Sequence, residues 1–218
     1  MTDWNDKEQV IKAVSEDGLL LENASKELRA DRGIVLASVQ KNGAALQYAI
    51  KEFKADREIV LAAIQQNSDA LEYASEELRG DRRIVLGAIK GGVPSQNRAL
   101  KHASDELRAD RRIVIAAVQN HSDALQYTSD ELKADRKFML MAIQQNSDAL
   151  EYASEELRAD RGIVMPVVKK DWMAFQYASE TLRADREFVL TGIKECGLNL
   201  EHASKELRAD REIVMAAV

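Results

Sequence analysis

The side chains with chemical potential in this chain are a recurring acid–base pair, three histidines and one cysteine. Asp is followed by Arg at Asp31-Arg32, Asp56-Arg57, Asp81-Arg82, Asp110-Arg111, Asp135-Arg136, Asp160-Arg161, Asp185-Arg186 and Asp210-Arg211. A carboxylate beside a guanidinium can serve proton transfer or anion binding. A residue needed for catalysis is required once, however, whereas one needed in every structural layer recurs in every layer. The pairs are therefore read as helix caps and inter-layer ion pairs. His102 and His202 occupy a place where other copies of the pattern carry Tyr, which makes them packing variants. His121 stands apart. No His-Glu-x-x-His, no Cys–His cluster and no strand-borne phosphate loop is present. Gly91-Gly92 is not followed by Gly-Lys-Ser/Thr. The sequence thus predicts no catalysis, no cofactor and no metal site.

The elements that carry these residues are set by their spacing. Counting the degenerate Asp6-Lys7 as the first mark, the Asp recurs every 25 residues, with a single step of 29 between Asp81 and Asp110. A fixed period of this size marks a repeat array. With the Asp as position 1, positions 4, 5, 6, 8 and 9 are apolar, as in Ile59, Val60, Leu61, Ala63 and Ile64, and form the core stripe of a helix buried on most of its circumference. Asp at position 1 is its N-cap. Asn-Gly, Cys-Gly or Asn-Ser at positions 12 and 13 ends it, through Gly or Asn in the left-handed conformation. Ser at position 13 then caps a second helix with Ala70, Leu71, Ala74 and Leu78 on its buried face and Tyr at position 18. Ser at position 20 offers a cap for a separate turn over positions 21 to 24, which would split the second helix into an α and a 3₁₀ piece. Neither helix can bury its stripe within one unit, so the units must stack. The expected fold is an all-α solenoid of tandem 25-residue helical hairpins, a single array over residues 1–218 of about eight units with half-units at both ends.

The repeated string of Ala-Leu, Tyr-Ala-Ser, Glu-Leu-Arg, Asp-Arg and Ile-Val-Leu at fixed spacing resembles the repeat family known as domain of unknown function 4116. The resemblance runs from Asp6 to Val218. It implies a tandem array with no general catalytic activity and no catalytic residues to carry over. The first copy departs from the motif at Gln9, Lys12 and Asn23.

Composition bounds the rest. The chain has 218 residues, 45% hydrophobic and 31% charged, with a net charge of −6. That disfavours nonspecific nucleic-acid binding by the whole chain. Cys196 is the only cysteine, so no internal disulfide forms. No apolar run is long enough to span a bilayer and the first residues lack a secretory pattern. Cytoplasmic residence, or export as an effector without a cleaved signal peptide, is expected. Ile213, Val214, Met215 and Val218 keep the internal apolar pattern, which predicts fraying or self-association through that end, or a chain that continues.

Departures from the template carry the functional reading. Nine residues, Lys90 to Arg98, stand where other copies have five. Insertions in solenoids map to loops, often on the binding face. Residues 79–137 hold 12 basic and 8 acidic side chains, a local surplus of four positive charges. Arg83, Lys90, Arg98, Lys101 and Arg112 are expected to form one basic patch that docks an acidic protein surface. Trp172, with Phe175, comes after Pro166, which sits mid-helix at position 7 and predicts a kink. Trp172 is the alternative binding anchor. Five methionines, Met139, Met141, Met165, Met173 and Met215, are read as mostly core. The chain is accordingly read as a non-catalytic scaffold for a protein partner. The alternatives are a nucleic-acid-binding helical repeat using basic rows and a structural fragment of a larger multidomain protein.

Overall fold

The computed structural model describes residues 2–91, 98–119 and 122–218, and all regular structure among them is helical. Most layers repeat three elements. A ten-residue α-helix such as Arg57–Gln66 is followed by a six-residue 3₁₀ helix such as Ser68–Tyr73 and a four-residue α-helix such as Glu76–Arg79. Residues 1–127 form one compact unit and residues 128–218 a second. Within each, long helix stacks on long helix and 3₁₀ helix on 3₁₀ helix, which is the stacking of an all-α solenoid.

The long helix is started by the recurring Asp. In the layer beginning at Asp81, its Oδ1 accepts the backbone N–H of Arg83 at 2.8 Å and of Ile84 at 3.0 Å. This satisfies two of the donors that a helix start leaves orphaned. Positions 4, 5, 8 and 9 are buried: Ile59, Val60, Ala63 and Ile64 have no exposed surface. Burying each large apolar side chain there stabilises the stack by about 1.5–3 kcal/mol. The buried stripe is narrower than expected. Positions 6 and 7 are half-buried, as in Leu61 and Ala62, and these line a shallow groove of about 390 Å³ between Arg32–Lys41 and Arg57–Gln66.

The helix ends differently from the sequence expectation. Among the described residues none has a positive φ. Asn67 at position 12 is extended, with φ −151° and ψ 115°, and its Oδ1 accepts the N–H of Asp69 at 2.9 Å. Position 12, not the Ser of position 13, is therefore the cap, and Ser68 is buried within the first turn. The segment that Asn67 caps is 3₁₀, not α. With three residues per turn, positions 13, 16 and 19 fall on one side and 14 and 17 on another. Ala70, Leu71 and Ala74 are buried, Asp69 is half-buried and Glu72 is exposed. Where position 13 is Gly, the next layer approaches closely. A Cβ on Gly43 would lie 2.2 Å from the carbonyl oxygen of Ala63 in the next layer, and one on Gly18 2.3 Å from that of Ser38.

The split at position 20 is present, in the order 3₁₀ then α. The Ser75 hydroxyl caps Glu76–Arg79 by accepting the N–H of Leu78 at 3.3 Å. Its own N–H reaches back to the carbonyl of Lys54 in the preceding layer at 2.8 Å. The same backbone staple recurs from Ser104 to Arg79, Ser154 to Lys133, Ser179 to Arg158 and Ser204 to Arg183, at 2.9–3.0 Å. Pro166 does not interrupt its helix, which runs unbroken over Arg161–Lys170. The proline is exposed, and so is Gly162 four residues earlier, the residue whose carbonyl a proline leaves without its intrahelical donor.

Candidate functional site

The Asp-Arg rows are engaged from layer to layer within the stacks. Arg at position 2 reaches the Asp at position 1 of the next layer. Arg57 grips Asp81 with Nη1 on Oδ2 at 2.9 Å and Nη2 on Oδ1 at 2.8 Å. Lys7 pairs with Asp31 at 2.6 Å, Arg186 with Asp210 at 2.7 Å, and Arg82 with Asp110 and Arg136 with Asp160 in the same sense. One carboxylate thus caps its own helix and ties down the preceding layer. The Lys7 ammonium, then the N–H of Ile34, holds the Asp31 carboxyl below its ordinary range. Arg136 does the same for Asp160. For Asp81 burial pushes upward, and Arg57 with the N–H groups of Ile84 and Arg83 outweighs it, leaving the carboxyl low. Such groups stay ionised at neutral pH and are poor general acids.

Position 3 decides whether the row is neutralised. Glu58, Glu187 and Glu212 add a second carboxylate to Arg32, Arg161 and Arg186, with Arg32–Glu58 at 2.6 Å and Arg161–Glu187 at 3.1 Å. Arg83, Arg112 and Lys137 occupy the same position in the middle of the chain. The central basic surplus therefore has a local cause, the replacement of the second carboxylate by a cation.

Positions 22 and 24 do not join these rows. Arg158 at position 24 pairs with Glu155 of its own turn at 2.6 Å. Position 22 turns back to the cap: Glu131 is held low by its own backbone N–H and then by Ser129. Thr181 leaves no gap, because its hydroxyl makes the same contact to Ser179 at 2.7 Å.

His102 is 9% exposed at its side chain, and its Nε2 lies 3.9 Å from Asp69 Oδ1. Burial pushes its pKa down, against Glu72 and Asp69, so the ring is neutral at pH 7. His202 is half-buried at the same position of a later layer. His121 lies outside the described residues. Among the described residues no group of three His, Cys, Asp or Glu side chains could hold a metal ion.

The structure divides the basic residues between two rows. Arg83 and Lys90 are exposed on the long helix Arg82–Gly91, and Arg112 on Arg111–Val118, which packs against it. Arg98 and Lys101 are exposed at the start and within Ala99–His102, which packs between the 3₁₀ helices Ser68–Tyr73 and Ser122–Tyr127. Residues 92–97 of the insertion lie outside the described residues.

Trp172 is 39% exposed, while Phe175 is fully buried and stacks on Phe188 of the next layer with ring centroids 5.2 Å apart. Gly192 makes room for it: a Cβ there would lie 2.5 Å from the Phe175 ring. Only Met139 of the five methionines expected mostly in the core is fully buried, whereas Met141, Met173 and Met215 are exposed. An apolar side chain in a repeat suggests packing, and Met173 departs from that rule. Its position is Asp in Asp69, Asp123 and Asp148, which is the signal that it faces water.

A family model described as a domain of unknown function (DUF4116) matches the chain over residues 6–54, 56–97, 93–133, 135–183 and 185–218. No curated protein and no solved structure matches it. Among the described residues no helix is long and apolar enough to cross a membrane.

Proposed function

We propose that this chain, which belongs to the tandem-repeat family called domain of unknown function 4116, is a non-catalytic scaffold that binds a protein partner along its outer rows. One observation carries this reading. The charged residues that recur in every layer are used up as caps and layer-to-layer ties, as Asp81 is by Ile84 and Arg57. The outward positions that vary between layers, chiefly 3, 10, 11, 14 and 17, are left to meet a partner. In residues 1–127 the row of long helices offers Arg83, Lys90 and Arg112, all exposed. These suit an acidic protein surface, with the bidentate geometry of guanidinium on carboxylate. The row lacks the aromatic side chains on which single-stranded nucleic acid stacks.

Charge reversal at Arg83, Lys90 and Arg112 tests this. Partner capture should be lost while helicity and thermal stability stay close to the parent, since exposed changes usually cost within about 0.5 kcal/mol. Capture of every parental partner by the triple variant would count against the basic row. Binding to mixed oligonucleotides that falls steeply with salt would favour a nucleic-acid scaffold instead.

A further inference from the structure

In residues 128–218 the outward positions 14 and 17 of the three 3₁₀ helices form a grid of two rows, Asp148, Met173, Leu198 and Glu151, Gln176, Glu201. These helices are packed side by side in order. Met173 is 53% and Leu198 66% exposed, and Trp172 is 39% exposed beside Met173. Two large apolar side chains, Met173 and Leu198, thus lie on the open side of two successive layers, with the partly exposed Trp172 next to Met173 in the chain. Their presence gains the isolated fold little, because a side chain left in water contributes little burial. The template alternative at position 14, seen in Asp69, Asp123 and Asp148, is a carboxylate in the first turn, exposed in Asp123 and Asp148 and half-buried in Asp69. Met173 and Leu198 replace it in consecutive layers, which places apolar surface where only a covering partner would bury it.

Within the three 3₁₀ segments themselves the charged side chains are acidic, although Arg183 reaches the His202 carbonyl from outside them at 3.4 Å. Residues 146–153, 171–178 and 196–203 contain Asp148, Glu151, Asp171 and Glu201 and no Lys or Arg. The Tyr177 hydroxyl is 3.5 Å from Asp148 Oδ1. Its pKa is raised, by burial first and then by Asp148, Glu151 and Asp171, so these carboxylates share one neighbourhood. An anionic lipid surface or a nucleic-acid backbone would be repelled here. A cationic segment with one apolar side would be drawn in and would cover the exposed side chains.

We propose that the outer face of Ser147–Tyr152, Trp172–Tyr177 and Gly197–His202 docks a basic amphipathic segment of a partner protein, its apolar side chains on Trp172, Met173 and Leu198 and its Lys or Arg residues on Asp148, Glu151 and Glu201. This deepens the scaffold reading and rests on it, at a surface separate from the Arg83–Arg112 row.

The test uses the full chain with Trp4→Phe, so that Trp172 alone reports. The probe is a synthetic helical peptide of about fifteen residues with Leu on one face and Lys on the other. A Glu-for-Lys peptide and a sequence-scrambled peptide serve as controls. The Leu–Lys peptide should bind and shift Trp172 emission to shorter wavelength. Met173→Asp with Leu198→Asp, and separately Asp148→Lys with Glu151→Lys, should each weaken binding by at least about tenfold. The first pair restores the residue that other layers carry, so its thermal unfolding should match the parent and failure to fold is not an escape. Parental affinity in that pair, equal binding of the Glu peptide, or no binding of the Leu–Lys peptide would overturn the proposal. Crosslinking of captured partners separates the two readings. Crosslinks confined to the Arg83–Arg112 row sink this docking face and leave the scaffold standing, whereas crosslinks to neither surface sink both.

Discussion

Layers Asp56–Gly80 and Asp160–Ala184 follow one template and fill their cores differently. The first puts Leu71 at position 16 against a neighbouring layer that carries Ala88 at position 8; the second puts Phe175 there against Gly192. Volume moves from the helix to the 3₁₀ segment, and the stack closes in both cases, with Leu71 and Phe175 fully buried. Volume-conserving exchanges of this kind are the ones cores tolerate best. The later region also puts Asn199 where Ala70 sits in the earlier one. Asn199 is buried, its Nδ2 donates to the Gly192 carbonyl at 2.9 Å, and its Oδ1 has no partner. Recurring positions thus hold register, while pairs of positions in adjacent layers trade volume and polarity.

The volume exchange between the two layers is disrupted most directly by Gly192→Ala, which drives a Cβ into the Phe175 ring. Overpacking of a closed core should destabilise by about 1–3 kcal/mol in denaturant unfolding. Adding Phe175→Leu restores the Leu–Ala pairing of the earlier layers, and the double variant should be more stable than Gly192→Ala alone. Strict additivity of the two changes would refute the volume trade.

A smaller effect is expected at the caps. Asp81 accepts two N–H groups and a bidentate Arg57, whereas Asp185 accepts only the N–H of Phe188 and lies 3.9 Å from Arg161. Asp81→Ala should cost about 1–2 kcal/mol, and Asp185→Ala less. Equal losses would mean that the ladder adds nothing to the cap. Acid should expose the same groups. Asp31, Asp81 and Asp160 are held below their unfolded values. Their contribution is therefore complete above about pH 4, the unfolded carboxylate value, and is lost as pH falls through the lower folded values. The urea midpoint should be flat from about pH 7 to 5 and drop below about pH 4, modestly because the pairs are near the surface. The smallest effect is Thr181→Glu, which exchanges one partner of Ser179 for another. A change within about 0.5 kcal/mol is expected, and a gain well beyond that would reinstate a charged row at position 22.

Much of this architecture is readable from the chain alone. The 25-residue period, the Asp cap, the Ser cap at position 20 and the core at positions 4, 5, 8, 9, 15, 16, 19 and 23 are set by residue type and spacing, because caps and apolar stripes are local properties of a backbone with fixed periodicity. Stacking decided the rest. Which Asp each Arg meets depends on the layer beyond it, not on its own helix. The second segment is 3₁₀ where an extended position 12 leads into it, with or without a side-chain cap, and it is held between a position 13 pressed on the next layer and a position 20 stapled to the preceding one. Pro166 is tolerated because its side of the helix meets water. Met173 and Leu198 face outward because three residues per turn turn position 14 away from the core. An α-helical reading of the same letters cannot show that.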